Sequence, residues 1–161
     1  MVVDVGDGVA VALSSATWFL VSLLVGWRAV RWPPARLEPG PVTHLRAWER
    51  SGATWQRVLR VRRWKDAIPE AGDLFAGGRS KRHIGGRSTA DLDGYRRETV
   101  RAERVHWLIL ASTPLHALWC RPPLFAGMVG FGVLFNAPSI VIQRYNRGRL
   151  ERVLARRARA G

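Results

Sequence analysis

The residues best suited to chemistry lie in one short stretch, Glu98-Thr-Val-Arg101-Ala-Glu103-Arg-Val-His106-Trp107. Read as a helix at about 100° per residue, it turns His106 about 80° and Glu103 about 140° round from Glu98. Glu103 and His106 are then i,i+3 neighbours that can touch, while Glu98 falls about 12 Å away along the axis, closer to Arg101. A carboxylate against an imidazole makes an oriented general base, able to remove a proton from a hydroxyl. Arginines with an amide side chain bind phosphates or a developing oxyanion. A second polar cluster supplies them: Asn136-Ala-Pro138, then Gln143-Arg144-Tyr145-Asn146-Arg147. Glu103-x-x-His106 also has the spacing of di-iron helical bundles, but those need a second such motif and two further carboxylates. The chain has a single Glu-x-x-His, so no metal site is expected. Cys120 falls on the opposite side from both clusters and reads as a small apolar residue. His44 and His116 show no partner at useful spacing, whereas His83, in Ser80-Lys81-Arg82-His83, is a further candidate for the same site.

Three uncharged runs must position these residues. Gly8 to Trp27 is twenty residues long, enough to cross a hydrocarbon core of about 30 Å. The second runs from Val105 or His106 to Cys120, broken by Pro114, and the third from Leu124 to Gln143, with Gly127, Gly130, Gly132 and Pro138 inside it. The first run does not read as a cleaved signal, since Asp4 and Asp7 precede it and no small-x-small site stands before Arg28. From His106 to Cys120 the second run reaches only roughly 22 Å, which puts Glu103 and His106 at the membrane boundary. An ionisable residue there is a functional-site candidate by default. The short 121–123 connection makes the second and third runs antiparallel neighbours. Pairing about Pro122 sets His106 level with Asn136 and Pro138, Arg101 with Gln143, and Glu98 with Asn146. The competing reading is an interfacial network that satisfies buried polar groups and locks the hairpin.

The charges orient these runs. The 161 residues carry 26 basic and 12 acidic side chains, a net charge of +14, and all but two of the basic residues are arginine. A hydrophobic content of 47% with eight tryptophans excludes a disordered polybasic chain. One cysteine excludes a disulfide framework and a multi-cysteine zinc site. No Lys or Arg precedes Gly8, eighteen lie between Arg28 and Arg104, one (Arg121) lies in the hairpin and seven follow Gln143. The positive-inside rule then gives an N-terminus outside, residues 28–104 inside, the hairpin outside and the tail inside. Nearly all the basic charge faces anionic lipid, which excludes nucleic acid as a partner. The expectation is an all-α integral membrane protein with three transmembrane helices, N-out and C-in. Residues 1–161 form one membrane domain, with spans at 8–27, 105–120 and 124–143 and a basic tail at 144–161.

The inner segment, 28–104, is amphipathic and rich in Trp and Arg. Pro33-Pro34 and Pro39 to Pro41 read as an extended linker. Residues 43–64 follow a helical pattern with Gly52 as a break. Such a helix either lies in the headgroup plane, rings at the interface and guanidiniums on phosphate, or packs on the protein's own surface. The glycine-rich 71–88 stretch reads as a loop without phosphate-loop spacing. A polar helical pattern from Asp91 to Arg104 then runs into the second apolar run.

Arg97 to Leu150, with Glu98-x-x-Arg101-Ala102-Glu103-x-x-His106-Trp107, Asn136-x-Pro138 and Gln143-Arg144-Tyr145-Asn146-Arg147, resembles the glycosyl-4,4'-diaponeurosporenoate acyltransferase family. Val61-Arg62-Arg63-Trp64-Lys65-Asp66-x-x-Pro69-Glu70 and Lys81-Arg82-His83 are similar to that family's first half. The resemblance implies a membrane acyltransferase of the cell membrane, multi-pass, that esterifies a sugar hydroxyl of a carotenoid-type glycoside with a fatty acyl chain, a step toward staphyloxanthin. It implies a fatty acyl donor, acyl-coenzyme A or an equivalent, as co-substrate and no bound cofactor. Its partners are membrane lipid, the lipophilic glycoside and the donor, in a homo-oligomer or a complex with pathway enzymes. The residues it carries over are Trp64, Lys65, Arg82, His83, Glu98, Arg101, Glu103, His106, Trp107, Asn136, Pro138, Gln143, Arg144, Tyr145, Asn146 and Arg147. Combined with the residue chemistry, His106 is the expected base and Glu103 its orienting carboxylate, with Arg101, Arg144 and Arg147 on donor phosphates or the oxyanion. Two other classes stay open: a non-catalytic protein that binds anionic lipid or scaffolds pathway enzymes, and a metal-dependent oxidase or hydroxylase built on Glu103-x-x-His106.

Overall fold

The computed structural model describes residues 3–68 and 88–160. Arg82, His83 and most of the glycine-rich stretch lie outside the described residues. Among the described residues every regular element is helical and none is a strand. The first apolar run forms α1, Asp7–Ala29, with Asp7 in its first turn and Arg28 in its last, each of the sign that the helix dipole favours. Pro33 and Pro34 then force a 3-10 turn, Pro34–Leu37, whose Leu37 is buried.

The helix expected over 43–64 forms only in part. Residues 41–43 and 47–51 are turns joined by irregular chain, and α2 spans Ala53–Leu59 alone. Its boundaries are two left-handed residues, Gly52 (φ 67°) and Arg60 (φ 50°). Gly52 is a break because its backbone lies against the Tyr145 carbonyl and Arg149, where a Cβ would come within 3.0 Å. Two 3-10 turns follow, Val61–Arg63 and Lys65–Ala67.

The helix α3, Thr89–Ala111, is capped by Ser88, whose hydroxyl accepts the Asp91 N–H at 3.1 Å. It carries the polar pattern straight into the second apolar run, as the sequence predicts. It does not continue to Cys120. Pro114 has no N–H to give the carbonyl of Leu110 and its ring crowds that turn. The hydroxyl of Thr113 donates to the Leu110 carbonyl instead, at 2.6 Å, and the Ser112 hydroxyl donates to Ile109 at 2.7 Å. The chain tightens into a 3-10 helix, Thr113–Leu118.

The third run does not stop at Gln143 either. It belongs to α4, Pro122–Ala160, 39 residues that include Pro138 and the whole basic tail. At 1.5 Å per residue α4 is about 58 Å long, more than the thickness of a bilayer, and its second half is rich in arginine. Two described helices, α1 and α4, are long and apolar enough to cross a membrane.

The helices α3 and α4 form an antiparallel hairpin, and α1 lies beside it parallel to α4. The Val3 N–H donates to the Leu118 carbonyl at 2.9 Å and Arg121 lies 3.9 Å from Asp7, so the N-terminal segment meets the hairpin turn at one end. Trp18 fills the seam: its indole donates to His116 Nε2, its ring meets Phe131, and Gly132 leaves it room, since a Cβ there would sit 2.7 Å from the indole. Trp119 donates to Ser14, and Cys120 contacts the same hydroxyl at 3.5 Å. At the other end Arg96 and Arg97 pair with Glu38, and Arg104 donates to the carbonyls of Arg36 and Glu38. Large apolar side chains such as Leu20, Leu24, Leu134 and Phe135 stay exposed on α1 and α4, a surface suited to lipid and not to water.

Candidate active site

Where the polar half of α3 becomes apolar, its inward face meets the corresponding depth of α4, and both sequence clusters converge there. Glu103 is fully buried. Its Oε1 accepts from Arg144 at 2.6 Å and from the Trp107 indole at 3.2 Å, and its Oε2 accepts from Arg147. A buried carboxylate is tolerable only with such partners. Arg144 also grips Glu49 with two parallel bonds of 2.6 Å, and its remaining donors reach the carbonyls of Val42 and His44. All five of its N–H groups are thereby engaged. Arg147 is fully buried as well and donates to the Thr43 carbonyl at 2.6 Å and, more weakly, to Thr99. Two carboxylates and two guanidiniums alternate, so the cluster is charge-balanced while it ties the 42–49 turns to both long helices.

Burial alone would raise the Glu49 carboxyl. The Arg144 hydrogen bonds, the Arg46 backbone N–H and the Arg144 charge outweigh it and hold the group below its usual 4.5. The bonds to Glu49 in turn hold Arg144 above the usual guanidinium range, against burial and with help from Glu103.

Beside this cluster His106 Nδ1 lies 3.0 Å from Asn136 Oδ1. The Asn136 amide donates its Nδ2 to the Gly132 carbonyl at 2.9 Å, which turns Oδ1 toward the imidazole. An amide oxygen only accepts, so Nδ1 donates to it, and in the neutral imidazole the lone pair is then on Nε2. The predicted level of His106 with Asn136 is thus met by a hydrogen bond. The orienting partner on Nδ1 is Asn136, however, while the oxygens of Glu103 are held by arginines and Trp107. An imidazole with Nδ1–H on an amide oxygen is oriented to take a proton at Nε2.

The other expected residues divide by place. Glu98 and Arg101 pair with each other on α3, both partly buried. Gln143 is buried and Asn146 partly so, one on either side of Arg144 on α4. Tyr145 packs with Val61 and Ile142, and Trp64 joins that group while donating its indole N–H to the Leu59 carbonyl. Lys65 pairs with its neighbour Asp66, apart from the Glu103 cluster. The sequence reading missed Glu49, although it is the one acid between Pro39 and Lys65 in a strongly basic stretch. It also missed Gly148, where a Cβ would come within 2.6 Å of the Glu49 carbonyl oxygen, so that glycine lets the 49–52 turn lie on α4.

The profile of the family described as glycosyl-4,4'-diaponeurosporenoate acyltransferase matches residues 40–156, a span that contains every member of both the buried network and the His106–Asn136 pair. A protein of that name from Staphylococcus haemolyticus (strain JCSC1435) is 30% identical over 142 residues, covering 86% of this chain and 81% of its own length. One of the same name from Staphylococcus aureus (strain N315) is 29% identical over 107 residues, 66% of this chain and 64% of its own. No solved structure matches. Family match, an all-helical fold with two bilayer-length helices and an oriented histidine at their polar end agree: this chain belongs to the glycosyl-4,4'-diaponeurosporenoate acyltransferase family.

Proposed function

We propose that this protein transfers a fatty acyl group to a sugar hydroxyl of a lipid-soluble glycoside of the carotenoid type, with His106 as general base. The observation that carries the reading is the His106–Asn136 bond at the depth where α3 turns from polar to apolar. A glycoside held by its lipid tail would present its sugar there. Nε2 of His106 takes the proton of the hydroxyl as its oxygen attacks the acyl carbonyl. The tetrahedral intermediate then collapses, expels the thiolate or equivalent leaving group of the donor, and the proton from His106 leaves with it.

The roles of the remaining residues follow from their engagements. Arg144 and Arg147 hold Glu49 and Glu103, so they act as framework for the site and not as phosphate ligands. Arg101, only partly buried and paired with Glu98, is the guanidinium placed to meet an acidic donor, with Gln143 and Asn146 completing the polar wall. Trp107 and Tyr145 bound the site, and Trp64, Lys65, Arg82 and His83 belong to the substrate side by family resemblance alone. Metal-dependent oxidation is disfavoured because both oxygens of Glu103 are held by guanidiniums.

The chain crosses the cell membrane three times, N-out and C-in. Besides α1 and α4, the second crossing in chain order is α3 from Val105 continued by the 3-10 helix, whose rise of about 2.0 Å per residue extends the stretch to roughly 25 Å. Purified protein in detergent, given a glycoside acceptor and a fatty acyl thioester, tests the catalytic reading. His106→Ala is expected to lower kcat about 10²–10⁴-fold, the range for removal of a general base, with folded yield kept. Normal turnover would leave His106 without a catalytic role, whereas absence of transfer by the parent protein would favour the lipid-binding scaffold, which needs the arginines but not this histidine.

A further inference from the structure

Residues 42–63 present two faces. On one, Trp55, Val61 and Trp64 pack against Ile142 and Tyr145 of α4. On the other, Val42, Trp48, Val58 and Leu59 are exposed, Val58 at 68% and Trp48 at 53%. The half-buried Trp55 links the exposed residues: Val58 and Leu59 follow it at i+3 and i+4 on α2, and its ring centre lies 5.1 Å from that of Trp48.

The depth of this face is set by its contacts. Gly52 lies against the Tyr145 carbonyl and Val61 against Ile142, where the apolar run of α4 gives way to Arg144. Within the apolar runs, the exposed large side chains reach Trp27 on α1 and Phe135 on α4, the latter about two turns before Ile142. Arg46, Arg50, Arg57, Arg60, Arg62 and Arg63 are all exposed. The segment's one acid, Glu49, is buried on Arg144. A surface with six cations and no exposed anion is complementary to phosphate, and tryptophan beside aliphatic side chains suits the boundary between headgroup and acyl chain.

We propose that residues 42–63 rest on the bilayer, with Trp48, Val58 and Leu59 sunk to the headgroup–acyl boundary and the arginines on the phosphates of anionic lipid. This rests on the reading of α1 and α4 as membrane-spanning, so the experiment includes a position that tests that reading by itself. In full-length protein carrying Cys120→Ser, which keeps a hydroxyl toward Ser14, nitroxide labels are placed through Val58→Cys, Trp48→Cys, Leu20→Cys and Arg159→Cys, one at a time. The protein is reconstituted in phosphatidylcholine vesicles with and without phosphatidylglycerol. Collisions with oxygen and with a water-soluble nickel chelate are read by electron paramagnetic resonance.

With phosphatidylglycerol present, the labels at 48 and 58 should collide several-fold less with nickel than the label at 159 and should remain open to oxygen, at a depth shallower than that at 20. Without it they should shift toward nickel. Nickel collision at 58 equal to that at 159, with 20 shielded, overturns this inference alone. Shielding of 48 and 58 from both reagents marks a covering protein or a second copy and overturns it too, and a depth indifferent to phosphatidylglycerol overturns the anionic-lipid assignment. A nickel-exposed label at 20 removes the membrane-spanning reading and this inference with it.

Discussion

Glu103→Gln isolates what the buried ionic cluster contributes. The substitution keeps volume and one accepting oxygen, so no cavity opens and Trp107 retains a partner. It removes the anion that faces Arg147, a side chain with no exposure whose other partners are the Thr43 carbonyl and the Thr99 hydroxyl. Removing one partner of a buried ion pair costs about 3–5 kcal/mol because the other charge is left uncompensated. Arg144 retains Glu49, which confines the loss to Arg147 and to one bond of Arg144. At about 2–4 °C per kcal/mol for a chain of this size, Tm should fall by roughly 6–20 °C. The assay is thermal unfolding in detergent of Glu103→Gln, Arg147→Met and the double variant. In the double variant no unpaired buried charge remains, so much of the loss should be recovered and the cycle should show a coupling on the order of 1–3 kcal/mol. A Tm within a degree or two of the parent for Glu103→Gln, or strict additivity in the double variant, would refute the claim that this pair is a desolvated keystone.

Gly148→Ala should destabilise by about 1–3 kcal/mol, since its Cβ meets the backbone of Glu49 and Gly52 and not a side chain that can move. Gly127→Ala on the same helix meets nothing within 4 Å and should be neutral or stabilising by up to about 1 kcal/mol. Equal Tm values for the two would show that the turn does not depend on that close approach. Asn136→Ala should lower kcat by up to about 10²-fold, the scale for misplacing a catalytic group, and should move the pH profile of kcat while leaving the yield of folded protein. The depressed Glu49 carboxyl contributes stability that is present above its ordinary 4.5 and is lost as pH falls through its lower folded value. Thermal scans from neutral pH downward should therefore show Tm falling in that acid window for the parent and a smaller fall for Glu49→Gln.

The bilayer-length runs, the direction of the arginine bias and the level of His106 with Asn136 could all be read from the chain. Each depends on a local or one-dimensional property: length without charge, the count of Lys and Arg on either side, and a connection at 121–123 too short for anything but an antiparallel hairpin. The extent of the helices was less legible. Pro114 stops α3 because a carbonyl loses its donor, yet Pro138 passes through α4 unbroken, and nothing in either residue's immediate neighbours predicts the difference.

What only the tertiary structure decided is the use to which each charge is put. By sequence, Glu103 stands three residues before His106 and orients it, and Arg144 and Arg147 wait for a phosphate. In the fold Glu103 is held by those two arginines, Arg144 is completed by Glu49, and His106 is turned by Asn136. The physical reason is long range. Glu49 is buried 95 residues before Arg144 in the chain, and it reaches that guanidinium because Gly52 turns left-handed and Gly148 carries no side chain. No spacing rule within a helix encodes such a contact, and burial, which makes each unpaired charge costly, selects it.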